Sequence, residues 1–176
     1  MCIRSWARAI ALGSMLMATG IEQGAAQTPP AYPPPLITLA EARAIIEGAI
    51  ALAREGNMRM AVAVVDHVGN VVSTDRMDGA GLQNIRMAEG KAFASALYRQ
   101  TTEALGELHK SRPDRYFGIM NMYPGKVYLV GGGVPLAVDG QLVGAVGVAG
   151  LPQGVDEKSA RAGIDAWMKL RATMKK

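Results

Sequence analysis

The chain has 176 residues, enough for one domain, and carries a formal charge of +4. Its one cysteine, Cys2, lies at the very start, so the remainder cannot form a disulfide, a cysteine metal site or a thiol nucleophile. The basic residues at the C-terminal end have no aromatic residues among them, which excludes a nucleic-acid partner of the usual kind. Apolar residues make up 49% but aromatic residues only 5%, so the core must be mostly aliphatic.

The first 26 residues have the pattern of an export signal. Arg4 and Arg8 precede an apolar run from Ala9 to Ile21, and small residues suited to cleavage follow at 24–26. At about 13 residues this run is shorter than the roughly 20 that span a bilayer. An uncleaved membrane anchor or a frayed amphipathic N-terminus is the alternative. We therefore predict a cleavable signal peptide over 1–26, a periplasmic or secreted protein, and no membrane span after cleavage.

A proline-rich segment over 27–36 separates this signal from the rest of the chain. Thr28 to Pro35 reads TPPAYPPP, and its five prolines prevent both helix and sheet. The segment is either a spacer or a disordered tail. We assign residues 37–176 to one domain.

The domain is expected to begin with a helix and a β-hairpin. Thr38-Leu39-Ala40-Glu41 matches a capping box, which predicts a helix from Thr38 to Gly56. Apolar runs predict strands over 60–66 and 71–76, joined by a turn at 67–70.

Helices are expected to follow this hairpin. Helical spacing runs through 83–99, and a short second helix is predicted over 102–108. Residues 109–123 contain a proline and several charges and indicate no single structure. The last helix is predicted over 156–174.

The most informative stretch, 127–150, lies between these helices. It predicts three strands, over 127–130, 134–138 and 141–149, with Asp139-Gly140 as the hairpin turn of the last two. Glycine weakens a strand, so Gly144 and Gly147 indicate that a helix or a ligand approaches the backbone closely. Antiparallel strands with helices packed on them favour an α+β fold.

Four motifs in order carry a family resemblance. They are VAVVDHVGNVVSTDRMDGA, EGKAFASALYRQTTEAL, PGKVYLVGGGVPLAVDGQLVGAVGVAG and QGVDEKSARAGIDAW. Together, over about residues 38–170, they resemble the GlcG/HbpS family, also called the haem-degrading domain family. Its relatives include the C-terminal domain of cobalamin adenosyltransferases used in propanediol metabolism.

The resemblance implies a profilin-like or PAS-like two-layer sandwich, with a five-stranded antiparallel sheet flanked by helices. It also implies a homo-oligomer that binds haem non-covalently, with a role in haem or iron handling or in redox sensing. We therefore expect an exported haem- or tetrapyrrole-binding protein.

Haem requires an axial ligand, and the predicted mature chain offers two histidines, His67 and His109. Each is also compatible with a solvated position, His67 in a turn and His109 among basic residues. Some family members carry a histidine in the first helix, and this sequence has none between 38 and 56. Methionine thioethers and tyrosine phenolates are alternative ligands, although both residue types more often fill a core. The tyrosines considered are Tyr98, Tyr116, Tyr123 and Tyr128.

A second group of residues is expected to bind an anionic or aromatic ligand. Lys91 lies among small apolar residues, where its charge can meet a propionate or a substrate carboxylate; solvent exposure or a salt bridge is the alternative. The glycines at 131–133 can expose backbone amides to a flat or anionic ligand, or can form a β-bulge. The predicted ligand-binding residues are Arg76, Lys91, Tyr98, Gly131, Gly132, Gly133 and Pro135.

These residues leave a second function open. It is an enzyme that acts on a small carboxylate or aromatic compound, with Lys91 and Arg76 as the anion-binding groups. No catalytic residue can be assigned, and two histidines without cysteine predict no metal site.

Overall fold

The computed structural model describes residues 36–174, which form a four-stranded antiparallel sheet with helices on both faces. The predicted signal peptide and nearly all of the proline-rich spacer lie outside these residues. The helices are α1 (Leu39–Glu55), α2 (Gln83–Tyr98), α3 (Thr102–Ser111), α4 (Pro113–Met122) and α5 (Val155–Met174). The strands are β1 (Ala61–Asp66), β2 (Val71–Arg76), β3 (Gly133–Val138) and β4 (Gln141–Ala149).

The strand order is β2-β1-β4-β3, so the two hairpins meet where β1 pairs with β4. The α+β class and the antiparallel sheet are confirmed. The predicted fifth strand is wrong, because the described residues contain four strands. The profilin-like or PAS-like arrangement stays a prediction.

The missing strand is the one predicted at 127–130. The backbone of this segment bonds to helices instead of a strand: the Tyr128 amide donates to the Gly90 carbonyl at 3.3 Å, and the Thr102 hydroxyl donates to the Val130 carbonyl at 2.7 Å. The same hydroxyl accepts the Gly133 amide at 2.7 Å. The segment therefore crosses α2 and α3 before β3 begins.

One face of the sheet carries the main core under α1 and α5. Val62 and Val64 of β1 alternate with residues on the other face, and they pack with Val146 and Val148 of β4 against isoleucines of α1. Trp167 of α5 closes this core and is 1% exposed. Large branched side chains fill the space between these two helices and the sheet.

The other face carries α2 and is built from small residues. Ala88, Ala92 and Ala96 of the helix pack on Ala61, Ala63, Val65, Ala145 and Ala149 of the sheet. A Cβ at Gly147 would lie 2.5 Å from the Ala92 amide nitrogen and still closer to the Ala88 carbonyl. The close approach predicted from the glycines of the last strand is therefore made, at Gly147, by a helix.

The capping box predicted at Thr38 is confirmed, and it extends into a buried network. The Glu41 amide donates to the Thr38 hydroxyl at 3.2 Å, and the Thr38 amide donates to Glu41 Oε2 at 2.9 Å. The other carboxylate oxygen accepts from Trp167 Nε1 at 3.1 Å and from Arg171 at 2.5 Å. One glutamate thus caps α1 and links it to α5.

The region that the sequence left open, 109–123, contains the end of α3 and all of α4. Thr101 caps α3 through its side chain, and Pro113 begins α4, where its missing N–H costs nothing. Tyr116 is the buried residue of α4 and packs with Ala94 and Leu105 in a small separate cluster. Within 36–174, no helix combines the length and the apolar content needed to cross a membrane.

Candidate functional site

Helix α2 separates two clefts on its face of the sheet. Its alanines lie on the strands, and its two remaining flanks are open. One flank presents Arg86, Gly90, Phe93 and Leu97, and the other presents Gln83, Asn84, Met87 and Lys91.

The first flank borders what we call the hairpin groove. This groove of about 440 Å³ lies between α2, the β1–β2 turn and the segment after α4. Its lining is Val65, Val68, Gly69, Asn70, Val71, Arg86, Glu89, Gly90, Phe93, Leu97, Tyr123, Gly125 and Lys126.

Aromatic and apolar side chains form the walls of the hairpin groove. The rings of Phe93 and Tyr123 lie 5.4 Å apart at 60°. A Cβ at Gly69 would lie 2.6 Å from the Phe93 ring, so the turn packs directly on this residue. Val68 and Val71 are 63% and 49% exposed, so the groove presents apolar surface to its surroundings.

Cations and a histidine flank this apolar surface. Lys126 Nζ lies 6.0 Å from the centre of the Phe93 ring, and Arg86 pairs with Glu89 at 3.3 Å. His67 precedes the groove residue Val68 in a turn that Asp66 holds by accepting three hydrogen bonds. The buried His67 Nδ1 has no hydrogen-bond partner within the described part of the chain.

The second flank of α2 borders what we call the polar cleft, of about 740 Å³. Its walls come from the start of α2, from α3, from the segment before β3, and from the β4–α5 connection. The lining is Gly81, Gln83, Asn84, Met87, Lys91, Glu103, Gly106, Glu107, His109, Lys110, Leu129, Val130, Gly131, Gly150, Leu151, Gln153, Gly154, Asp156 and Glu157.

A buried ion pair lies at the floor of the polar cleft. Lys91 is 1% exposed, and its Nζ donates to Asp156 Oδ2 at 2.6 Å and to the Val148 carbonyl at 2.8 Å. The second oxygen of Asp156 accepts the Leu151 amide at 2.9 Å. The predicted anion-binding lysine therefore points inward, and a carboxylate of the chain itself neutralises its charge.

Two of the three glycines at 131–133, Gly132 and Gly133, are required by the packing around Lys91. A Cβ at Gly132, whose φ is +127°, would lie 2.6 Å from the Val148 carbonyl and 3.0 Å from Lys91 Nζ. At Gly133 a Cβ would lie 2.5 Å from the Lys91 carbonyl. Gly131 differs, because it lines the polar cleft and its added Cβ would meet Glu103 at ordinary contact distance.

His109 lies in the same cleft as Lys91 and Gly131. Its ring makes edge contacts with Tyr116 and Phe117, with ring centres 5.4 and 5.8 Å apart. Its buried Nδ1, like that of His67, has no partner among residues 36–174. The two histidines therefore belong to different parts of the surface.

The other predicted site residues lie away from both clefts. Arg76 lines a third, charged depression of about 630 Å³ beside α1 and donates to the Ala80 carbonyl at 2.6 Å. Pro135 lies on the edge strand β3 opposite Ala145. Arg76 and Lys91, which the enzyme hypothesis pairs, are thus not brought together.

Tyr98 packs against Tyr116, with ring centres 6.1 Å apart. Its burial, and next the neighbouring Tyr116, raise the pKa of the Tyr98 phenol above its ordinary value of 10.0. The group is therefore neutral at physiological pH, which disfavours a phenolate ligand at this position.

Comparison with known proteins resolves the family. Residues 37–165 match the model of the family described as haem degrading protein HbpS-like. The chain belongs to this family. A relative from Citrobacter freundii, an uncharacterized 15.0 kDa protein of the dhaT-dhaS intergenic region, is 31% identical over 76% of this chain and 94% of its own length.

Solved structures agree with this HbpS-like membership. A double mutant of HbpS from Streptomyces reticuli matches with a TM-score of 0.68 and 31% identity, covering 92% of this chain and 97% of that one. The structure described as a PduOC:Heme complex matches with a TM-score of 0.68 and 26% identity, covering 75% and 95% of the two chains. The family resemblance predicted from the four motifs is confirmed.

Several residues that line the two clefts were not predicted from the sequence. Phe93 and Lys126 line the hairpin groove, and Asn84, Glu103 and Asp156 line the polar cleft. The available signals for the polar cleft were the glycine-rich run at 131–133 and the lysine at position 91 among small apolar residues. The Lys91–Asp156 pair joins positions 65 residues apart, and no local pattern marks it.

Proposed function

We propose that this protein binds haem, or a closely related tetrapyrrole, non-covalently in the hairpin groove. The observation that carries the proposal is the likeness to the PduOC:Heme complex, at 26% identity over three quarters of this chain. Membership of the haem degrading HbpS-like family supports the same conclusion.

The chemistry of the groove fits a flat apolar ring with two acidic side chains. Val68, Val71, Phe93 and Leu97 offer apolar contact, and the volume of about 440 Å³ lies within the roughly 300–1,000 Å³ typical of small-molecule sites. Arg86 and Lys126 place positive charge on the rim, where propionates would meet them.

Two candidate ligands for the iron lie in or next to the groove. Tyr123 contributes to its wall, and His67, whose buried Nδ1 has no partner within residues 36–174, directly precedes the groove residue Val68. Imidazole and phenolate are both established haem ligands. Bound haem would supply a redox-active iron, while this chain would supply the apolar walls, the propionate partners and one axial ligand.

The apolar rim of the groove is exposed, and a second copy of the chain placed over it would bury this surface. We infer a homo-oligomer in which a neighbouring subunit closes the groove. We also propose that the protein is exported, that residues 27–36 act as a spacer, and that the haem is used in iron handling or redox sensing. These three parts of the proposal rest on the sequence patterns and the family resemblance described above.

Titration of the purified domain with hemin tests the proposal. We expect a saturable Soret shift at one haem per subunit, abolished or strongly weakened by Phe93→Ala. His67→Ala and Tyr123→Phe separate the two ligands, because loss of the ligand changes the Soret position even where some binding remains. His109→Ala is the matched control, since this histidine lies in the polar cleft.

A titration without saturation would reject haem binding altogether. Loss of the Soret shift in His109→Ala, with His67→Ala and Tyr123→Phe unchanged, would move the haem to the polar cleft and overturn the placement. Equilibrium sedimentation with and without hemin tests the covering subunit. A monomer that binds hemin fully would exclude it.

A further inference from the structure

The hairpin groove presents apolar side chains that the described part of the chain leaves uncovered. Val68, Val71 and Leu97 are all exposed, and all three line the groove beside the ring of Phe93. Exposed apolar side chains that lie together mark a surface to which another group binds. An apolar segment of the chain itself would be stabilised by covering this surface.

The proline-rich segment joins the domain at the end of the sheet where this groove lies. Ile37, the second residue that the structure describes, lies 3.3 Å from the position of a Cβ added at Gly144. Gly144 pairs with Asp66 across β4 and β1. The Asp66 carbonyl accepts the Gly69 amide at 3.1 Å, and a Cβ at Gly69 would contact the Phe93 ring. A short series of contacts therefore connects the start of the domain with the wall of the groove.

The segment is long enough to reach the groove from this point. Paired strands lie about 5 Å apart, and the other contacts in the series are of similar length, so the wall of the groove lies within roughly 20 Å of Ile37. Residues 27–35 in an extended polyproline conformation span about 28 Å, at about 3.1 Å per residue. The path leads from the α1/α5 face around the ends of β1 and β4. Leu36 alone separates the segment from Ile37, and a tether this short gives a high effective concentration at the groove.

The composition of the segment matches the walls of the groove. Residues 27–35 read QTPPAYPPP, with five prolines, one tyrosine and no charged side chain. Proline-rich segments bind grooves lined by aromatic residues, because their extended helix is formed beforehand and loses little entropy. Phe93 and Tyr123 supply aromatic rings. Arg86 and Lys126 supply N–H donors for the free backbone carbonyls of such a segment.

The other two depressions match this segment less well. Among residues 36–174, the lining of the polar cleft includes several carboxylates, and His109 is its one aromatic ring. The lining of the charged depression beside α1, taken over the same residues, is mostly arginine and carboxylate side chains and includes no aromatic ring. The hairpin groove is therefore the surface that fits an uncharged proline-rich segment.

We propose that residues 27–35 lie in the hairpin groove of their own chain when no haem is bound, and that haem displaces them. Tyr32 packs against Phe93 and Tyr123, and the prolines cover the exposed valines. The displacement rests on the proposed haem site, whereas the docking of the segment does not. The segment acts as an internal competitor that lowers the apparent affinity of the groove for haem.

A nitroxide label on the segment tests its position in the haem-free protein. The chain from residue 27 onward contains no cysteine, so Ala31→Cys supplies a single attachment site. We expect the label to broaden the amide NMR signals of Gly69 and Lys126, which line the groove. The signal of Gly154, which follows β4 at the opposite end of the sheet, should stay sharp. Sharp signals of Gly69 and Lys126, or equal broadening of all three, would overturn the docking.

A mixed sample separates docking within one chain from docking on a neighbouring subunit. Nitroxide-labelled chains and isotope-labelled chains without nitroxide are unfolded, mixed and refolded together. We expect the signals of Gly69 and Lys126 to stay sharp in this mixture. Broadening as strong as in the singly labelled protein would assign the segment to a neighbouring subunit and overturn the intrachain arrangement.

Hemin titration of the chain from residue 27 onward tests the displacement. Tyr32→Ala should raise the hemin affinity at least about threefold, because the groove is then free in a larger fraction of molecules. Thr28→Ala is the matched control at the start of the same segment and should change the affinity less than about twofold. Saturation with gallium protoporphyrin, a diamagnetic analogue of hemin, should restore the sharp signal of Gly69.

An unchanged hemin affinity in Tyr32→Ala, or broadening of Gly69 that persists at saturation with gallium protoporphyrin, would overturn the displacement. If the protein binds no hemin, the proposed function and the displacement both fail. The broadening in the haem-free protein still decides whether the segment occupies the groove, so the docking and the proposed function fail separately.

Discussion

The two faces of the sheet are covered by helices that pack through side chains of very different size. Under α1 and α5, isoleucines, valines and Trp167 fill the space, and a buried glutamate ties the two helices together. Under α2, alanines and glycines let the helix backbone touch the strands. The first face is stabilised by the burial of large apolar side chains. The second is stabilised by close packing of the α2 backbone against the strands.

This difference explains where the candidate sites lie. A helix seated deeply on small residues leaves both of its flanks open to side chains from neighbouring segments. The hairpin groove and the polar cleft occupy these two flanks. Under α1 and α5, large side chains fill the space against the sheet, and the charged depression of about 630 Å³ lies beside α1 rather than under it.

Trp167→Ala should have the largest effect, a loss of about 4 kcal/mol in the free energy of unfolding. It removes the largest buried side chain of the α1/α5 face and a hydrogen-bond donor to Glu41. Urea unfolding followed by circular dichroism measures it. Met168→Ala is the control, because Met168 is 53% exposed and its loss should change stability by less than about 0.5 kcal/mol. A loss below about 2 kcal/mol for Trp167→Ala would contradict the volume-based account of this face.

Lys91→Met should cost about 3 kcal/mol on the α2 side. It leaves the Asp156 carboxylate and the Val148 carbonyl without their donor in a buried position. The double variant Lys91→Met with Asp156→Leu should recover most of this loss, because an apolar pair can replace a buried ion pair. The same urea measurement applies. A double variant no more stable than the single one would show that the lysine acts through something other than this pair.

Gly147→Ala should cost about 2 kcal/mol, since one methyl group would be forced against the α2 backbone. Gly118→Ala makes the same chemical change in α4, where an added Cβ meets nothing within 4 Å. It should stabilise by up to about 1 kcal/mol, the usual helix preference for alanine. Thermal unfolding measures the melting temperature of both variants. If the two melting temperatures changed in the same direction, close packing of α2 on the sheet would not explain the role of Gly147.

The smallest effect is a pH dependence on the α1/α5 face. Burial by itself would raise the pKa of Glu41, but hydrogen bonds from the Thr38 amide, Trp167, the Thr38 hydroxyl and Arg171 outweigh it and lower the pKa below 4.5. A lowered pKa stabilises the fold above its unfolded value and loses that contribution as the pH falls through the folded value.

The unfolding free energy should therefore decline as the pH falls below about 4.5. Urea titrations across pH 3 to 6, a range set around the ordinary carboxyl value, measure the decline. Glu41→Gln should flatten it. An unchanged slope in this variant would assign the acid sensitivity to other carboxylates.

Much of the local structure could be predicted from sequence. The helical spacing of α1 and α2, the capping box at Thr38 and the Asp139-Gly140 turn each depend on neighbouring residues, and all are present as expected. The ordered motifs were also sufficient to recognise the HbpS-like family. The site was predicted less well: Lys91, Gly131 and His109 do share a cleft, whereas Arg76, Tyr98 and Pro135 lie elsewhere.

By itself, then, the sequence determined the segments, their turns and the family, because periodicity and capping act over a few residues. Only the tertiary structure decided that residues 127–130 bond to helices rather than to a strand. It also decided that Asp156 neutralises Lys91 and that α2 divides two clefts. These outcomes depend on which groups, far apart in the sequence, come into contact when the alanines of α2 pack on the sheet. No pattern among neighbouring residues predicts those contacts.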